Sequence, residues 1–283
     1  MLSLHTNNAA LSAQTSINRT QNSLSTSMTR LSTGYRINSA MDDAAGLQIA
    51  SRLKAQTSGM AVAMRNTQNS TSMLQTAEGA LDEVGNMLVR MKDLATQAAD
   101  ASSTDDDKKA MQSEFDALGL ELKNVLQNTT FGGTKLLVGG TVASSMTFQI
   151  GASSSETMAV DLSADMTQMA SDVSTATANY TSTTTGTELT SSANATIASL
   201  ETALNSVNKV RSGLGAAANR LEHVYNNLSN ISTNSKAATG LIMDVDFATE
   251  SANMTSNQML LQAGTAMLKQ SNSMSSMVMS LLQ

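Results

Sequence analysis

The chain has 283 residues, 41% hydrophobic and 14% charged but only 2% aromatic. That allows one or two domains with cores of aliphatic side chains and 20 Met. A net charge of −6 with no basic block argues against nucleic-acid binding, which needs a clustered cationic face. Cys 0 removes disulfides, iron–sulfur clusters and thiol catalysis together, and Pro 0 removes the commonest helix breaker.

From the N-terminus to about residue 35, seven-residue spacing puts Ala10, Ile17, Leu24 and Leu31 in one column, with Leu4 and Leu11 beside it. The other faces are Asn, Ser, Thr and Gln. This predicts an amphipathic helix whose stripe is too narrow for a core of its own. Gly34 and Asn38-Ser39 then break the period, and Asp42-Asp43 restart a helix acids first, as the positive end of a helix dipole favours.

Over residues 44–100 a 3-4 seam runs through Leu53, Gln56, Met60, Ala63, Thr67, Ser70, Leu74, Ala77, Leu81, Val84, Leu88, Met91, Ala95 and Ala98. It predicts a coiled-coil-like helix of about 80 Å at about 1.5 Å per residue. Thr104 with Asp107 reads as a capping box opening a helix over 104–128, with Met111, Phe115, Leu118, Leu122 and Val125 on one face. Gly132-Gly133 and Gly139-Gly140 mark turns. Runs at 135–138, 146–150 and 157–162 suggest two small β-hairpins over about 131–166. The Ser/Thr-rich stretch 167–192 is the candidate exposed loop.

A second long seam over 193–239 uses Leu200, Ala203, Val207, Val210, Leu214, Ala217, Leu221, Val224, Leu228, Ile231, Ser235 and Ala238. It matches the first in length and spacing, so the two are expected to pair antiparallel with the Met111–Val125 face beside them. After a second break over 239–246, Phe247, Met254, Leu261, Leu268 and Leu282 share one column, and Leu260, Met267, Met274 and Leu281 a neighbouring one. Met254, Met267 and Met274 are taken as packing residues, since methionine is more often core filler than a site. The expected fold is mainly α: a long antiparallel coiled-coil-like bundle with paired terminal helices (1–43 with 240–283), an outer domain (44–239) and a small β-hairpin region. The terminal segments carry too few large apolar side chains to offset the entropy of ordering them, so they are expected to become helical on association with other molecules.

The joint at 31–53, LSTGYRINSAMDDAAGLQIASRL, and the tail at 243–283, MDVDFATESANMTSNQMLLQAGTAMLKQSNSMSSMVMSLLQ, resemble the signatures of bacterial flagellins. The resemblance covers about residues 1–145 and 193–283. It implies a filament subunit whose terminal helices line a central tube inside a shell of the longer helices. It further implies export through the flagellar type III apparatus to an extracellular filament. That route fits an opening, MLSLHTNNAALSAQTS, without a basic region or continuous apolar core. The implied partners are further copies of the chain, an export chaperone, the filament cap and hook-junction proteins. Met243, Ser275 and Lys269 depart from the family pattern of an acid, a proline and a small residue, and residues 167–192 stand where many flagellins insert outer domains.

The resemblance also implies a surface recognised by the vertebrate Toll-like receptor for flagellin, at Arg90, Leu94, Gln97 and Glu114; subunit contact and solvation is the alternative role for the same residues. Arg30, Arg36, Asp42 and Asp43 cluster at the joint and suggest ion pairing between subunits, against ordinary solvated helix-end charge. The inner-tube packing set is Leu24, Leu31, Phe247, Met254, Leu261, Leu268 and Leu282. The hairpins read equally as a switch between two subunit packings or as a static shell element.

No enzyme, cofactor or metal is expected. His5 and His223 are the only histidines and lack the spacing of a metal site. Gly213 and Gly215 sit inside a helical seam with no preceding strand, which argues against a phosphate loop. Asp105-Asp106-Asp107 lacks the spaced ligands of a calcium loop and suits a helix start. Two rivals remain. A hook–filament junction protein has similar termini without indefinite polymerisation. A membrane-inserting helical protein is disfavoured by the Ser/Thr/Asn-rich faces.

Overall fold

With no proline to interrupt them, the two seams form very long helices. The computed structural model describes residues 7–181 and 185–281, with side chains through Met274 in the last helix. In chain order the helices are α1 (Asn8–Thr33), α2 (Ala44–Ala98) and α3 (Asp105–Asn128). Two antiparallel hairpins follow, β1 (Thr130–Phe131) with β2 (Thr134–Lys135) and β3 (Met146–Gln149) with β4 (Thr157–Val160). Then come α4 (Ser163–Ala176), a 3-10 turn (Ala178–Tyr180), α5 (Glu188–Ser191), α6 (Ala193–Met243) and α7 (Phe247–Leu281). The fold is mainly α. The chain forms two compact units, Met1–Thr57 with Thr233–Gln283, and Ser58–Ser232.

In the central unit one core gathers α2 from Leu74 to Ala98, α3, the hairpin segment, α4 and α6 from Leu200 to Leu221. Leu81, Val84, Leu88, Phe115, Leu122, Val207, Val210 and Leu214 are wholly buried there. Cross-helix ion pairs fix the sense of the long pair. Arg211 meets Glu78 and Asp82 at 2.9 and 2.8 Å, and Lys92 meets Glu201 at 2.7 Å. As the α2 number rises the α6 number falls, so the helices are antiparallel. The expected capping box is present: Thr104 Oγ1 accepts from the Asp107 amide while the Asp107 carboxylate accepts from the Thr104 amide.

The described residues of the stretch 167–192 are not an exposed loop. Met166, Met169, Val173, Ala176, Tyr180 and Leu189 on α4, the 3-10 turn and α5 all point into the core. The period is carried by Met, Val and Ala spaced three and four apart, which the surrounding Ser and Thr obscured. The strand expected at 135–138 ends at Lys135. Leu136 and Leu137 continue as a buried turn, where Leu136 donates to Thr129 O and accepts from the Val142 amide. The runs at 146–150 and 157–162 shorten to β3 and β4, and Leu162 packs where a Gly213 Cβ would sit, 2.6 Å away. Close packing against Leu162 therefore accounts for Gly213.

Each long seam also changes phase once. On α2 the buried position is Thr57, not Gln56; on α6 it is Ser232, while Ile231 is exposed. Inserting a four-residue step after Leu228 rotates the apolar stripe, as a stutter does in a coiled coil. These shifts fall where the two units part, inside the long helices rather than at the joints near 43 and 240.

Candidate assembly surface: the terminal helix pair and its joint

The terminal unit is built on α1 and α7. Alternate three- and four-residue steps place Ala10, Ala13, Ile17, Thr20, Leu24, Ser27 and Leu31 of α1 on the less exposed side. On α7 the same steps select Glu250, Met254, Asn257, Leu261, Gly264, Leu268 and Ser271. The pairing is antiparallel. Asn7 Nδ2 donates to Ser271 O and Oγ at 3.3 and 3.2 Å, Gly264 lies against Ile17, and Arg30 Nη1 stands 3.7 Å from Glu250 Oε2. The seam is thinly apolar and most of it is only half-buried. A polar cavity of 280 Å³ opens between the helices, lined by Ser27, Arg30, Glu250, Asn253 and Asn257 among others.

At one end the two joints bond to each other. α1 stops because Gly34 takes the left-handed conformation (φ 75°) and its amide donates to Arg30 O. Tyr35 then bridges Asp244 in antiparallel sense, with Arg36 N donating to Met243 O at 2.6 Å and Val245 N to Gly34 O at 3.0 Å. Arg36 Nη2 adds a bond to Ile242 O at 3.0 Å. Asp42 folds the turn back by accepting from the Asn38 and Ser39 amides at 3.0 and 2.9 Å, and Asp43 caps α2 by accepting from the Gly46 amide at 2.8 Å. Asp246 caps α7 through the Ala248 amide and the Thr249 hydroxyl. The amides of Ser39 and then Asn38 hold the Asp42 carboxyl below its usual range. The Thr249 hydroxyl and amide, then the Ala248 amide, do the same for Asp246.

Arg30, Arg36, Asp42 and Asp43 are thus brought to one joint but make no ion pair with one another among the described residues. Each is engaged separately, by Glu250 or by backbone. Sequence reasoning missed Glu250, the buried partner of Arg30. The available signal was an acid in the first turn of α7 lying on the seam side.

Of the packing set, Leu24, Leu31, Met254, Leu261 and Leu268 lie on the half-buried side. Phe247 does not; it is exposed at the first position of α7, beside Gly34. Leu282, like Leu4 and His5, lies outside the described residues. Met267 and Met274 are exposed rather than packed, in one column with exposed Leu260. A single neighbouring helix covers one column of α7, and this second column is left over.

In the central unit Arg90 and Glu114 form an exposed ion pair, Nε and Nη2 both donating to Glu114 Oε1 at 2.9 and 2.6 Å. Gln97 is exposed. Leu94 is not part of that face: it is 3% exposed and belongs to the core. No cluster of three or more His, Asp or Glu able to hold a metal occurs among the described residues, and no described helix is long and apolar enough to cross a membrane.

This is a protein with an unfilled apolar strip and a pinned joint, organised as a building block. The family model for the bacterial flagellin N-terminal helical region matches residues 4–142, and that for the C-terminal helical region matches residues 197–282. A flagellin of Halalkalibacterium halodurans is 40% identical over 261 residues, 90% of each chain. Flagellin A of Vibrio anguillarum is 34% identical over 380 aligned positions, covering both chains in full. The crystal structure of a Bacillus cereus flagellin aligns with a TM-score of 0.47 at 28% identity, covering 62% of this chain and 94% of that one. The chain belongs to the bacterial flagellin family. It is a structural, non-enzymatic subunit that self-associates into the extracellular flagellar filament, and the junction-protein and membrane-inserting alternatives are not favoured.

Proposed function

We propose that residues 1–43 and 240–283 form the inner tube of the filament, with 44–239 as the surrounding shell, and that the terminal pair reaches full stability only against sister copies. The observation that carries this is the second column of α7: Leu260, Met267 and Met274 are apolar and exposed beside a seam that is itself half-buried. Exposed apolar strips rimmed by polar residues mark interaction surfaces. Leu11 and Met28 on α1 extend the unfilled apolar area. Limited proteolysis tests the idea. Dilute subunits lose both ends quickly and keep Ser58–Ser232, whereas polymerised subunits keep everything; equal resistance of ends and centre in the dilute state overturns it.

Delivery follows from a thin terminal pair that is easily kept unfolded. The chain passes through the flagellar type III apparatus with an export chaperone and is placed by the filament cap beyond the hook-junction proteins. Arg36, Asp42 and Asp43, exposed at the joint, supply contacts to neighbouring subunits alongside their own backbone bonds. The exposed Arg90–Glu114 pair with Gln97 forms the face read by the vertebrate Toll-like receptor for flagellin. Dissociated subunits then signal more strongly than filaments, and Arg90→Ala lowers that signal. Equal signalling by Arg90→Ala and the native chain removes the receptor role.

A further inference from the structure

Methionine is the one sulfur residue of this chain, 20 Met against Cys 0, and its extremes of exposure follow the two units. Met60, Met91, Met111, Met146, Met158, Met166 and Met169 are buried, and all lie in the central unit. Among the described residues, the strongly exposed methionines are Met41 at 96%, Met267 at 66%, Met259 at 61%, Met274 at 54% and Met28 at 50%, and all lie in the terminal unit. Met267 and Met274 continue the column of Leu260 at seven-residue spacing, so their sulfurs fall along one strip.

We propose that Met259, Met267 and Met274 form an oxidisable modification site, and that their conversion to sulfoxide by a peroxide blocks filament growth. In each step the thioether sulfur attacks the peroxide oxygen. An S–O bond forms, the O–O bond breaks, sulfur loses two electrons, and the second peroxide oxygen takes up the proton of the transferred hydroxyl and leaves as water. The product replaces a flexible apolar side chain with a polar one that keeps its S=O acceptor hydrated. No thiol in the chain competes for the oxidant. The inference rests on the proposed burial, against sister copies, of this strip and of Met259 on the face adjoining it, and it adds a direction: free subunits are vulnerable, and polymerised ones are shielded at these three positions. A sulfoxide reductase, drawing two electrons from a dithiol and releasing the oxygen as water, returns the subunit to competence.

The experiment treats the full-length dissociated subunit with hydrogen peroxide, maps sulfoxides by peptide mass spectrometry, and measures the critical concentration for seeded growth. Met259, Met267 and Met274 oxidise well before Met111, Met166 and Met169, and the critical concentration rises about tenfold or more, the equivalent of about 1.4 kcal/mol. Sulfoxide reductase reverses the rise. Met259→Leu, Met267→Leu and Met274→Leu together keep size and apolarity without sulfur, and peroxide raises that variant's critical concentration, relative to its own untreated value, far less than it raises the native chain's. Full oxidation of the three with unchanged growth overturns the proposal. So does equal peroxide sensitivity of the triple leucine variant, or of Met267→Leu with Met274→Leu should the triple variant fail to grow. Met267→Gln with Met274→Gln, without peroxide, separates the layers: normal growth means the strip is not an interface, whereas lost growth beside harmless oxidation defeats the redox inference alone.

Discussion

Gly34 offers a clean way to ask when the terminal pair is formed. It ends α1 at φ 75°, where a Cβ is disfavoured by its own backbone. A Cβ added there meets nothing nearer than Phe247 Cζ at 3.9 Å, an ordinary contact, so Gly34→Ala introduces conformational strain without a clash. That strain is about 1–2 kcal/mol, which is a factor of about 5–30 in an equilibrium. Where the factor is felt depends on what the dissociated subunit looks like. If the joint between Gly34–Arg36 and Ile242–Val245 closes only on assembly, the whole cost falls on growth. The critical concentration then rises about 5- to 30-fold, and thermal unfolding of Ser58–Ser232 stays unchanged. Gly34→Asn, whose side chain tolerates the left-handed region, lies between alanine and glycine. Sedimentation of filaments at graded concentrations gives the first quantity, and calorimetry of dissociated subunits gives the second. A critical concentration within about twofold of native refutes the reasoning, because one backbone state would then be required equally before and after assembly.

Four further outcomes follow from the same geometry. Arg30→Glu and Glu250→Arg each place like charges at a half-buried pair and raise the critical concentration about tenfold or more, about 1.4 kcal/mol; the double reversal restores most of the loss, and a double variant as poor as the singles removes the pairing role. Thr104→Ala breaks the capping box of α3 and costs the dissociated subunit about 1 kcal/mol, read as a lower unfolding midpoint, with filament growth unchanged. Leu94→Ala hollows the core and costs about 2–5 kcal/mol in denaturant unfolding, so its effect in any receptor assay tracks stability, unlike that of Arg90→Ala. Asp42 and Asp246 have carboxyls held below the ordinary value of 3.8 in the folded joint. The folded state therefore binds fewer protons than the unfolded one, and their contribution is complete above about pH 4 and lost as pH falls below it. The protection of the Arg36 and Val245 amides, relative to the unstructured exchange rate at the same pH, falls only under that acid condition, and a fall centred between about pH 5 and 8 contradicts the assignment.

The long helices, the capping box and both joints were legible because each rests on a local rule: a 3-4 period, a Thr-x-x-Asp start, a glycine beside a polar break. Helix α4 was hidden because Ser and Thr between Met166, Met169 and Val173 lower the mean apolarity without disturbing the spacing. The shifts from Gln56 to Thr57 and from Ile231 to Ser232 were illegible for a different reason. A repeat extrapolated along one helix carries no information about the neighbour that rotates the stripe. Leu94 is the instructive case at the site. The resemblance put it on one face with Arg90, but four residues later on α2 the same turn carries it to the edge of the core, together with Ala95. Phe247 and Met267 failed in the opposite direction. They are apolar and periodic, and nothing in the sequence says that a single helix, α1, is all there is to cover them within one chain.

The polar composition of the terminal helices bears on how such a surface is closed. Thr15, Thr26, Thr29 and Thr33 on α1 each donate to the carbonyl four residues back, at 2.9–3.0 Å, and Thr255 on α7 does the same. A hydroxyl satisfied by its own helix needs no water and no partner side chain to be covered. Lysine or glutamate at the same positions would have to be dehydrated and paired in every subunit, at a cost that rises with burial. The charged side chains on α1 are Arg19 and Arg30, and those on α7 are Glu250 and Lys269. Arg30 and Glu250 meet within the chain, which leaves Arg19 and Lys269 as the two charges that a covering neighbour must accommodate. The faces that look too polar for a core are therefore well suited to close packing between copies. Their hydrogen bonds are already made within the chain, and in the proposed assembly the apolar column beside them would supply the attraction.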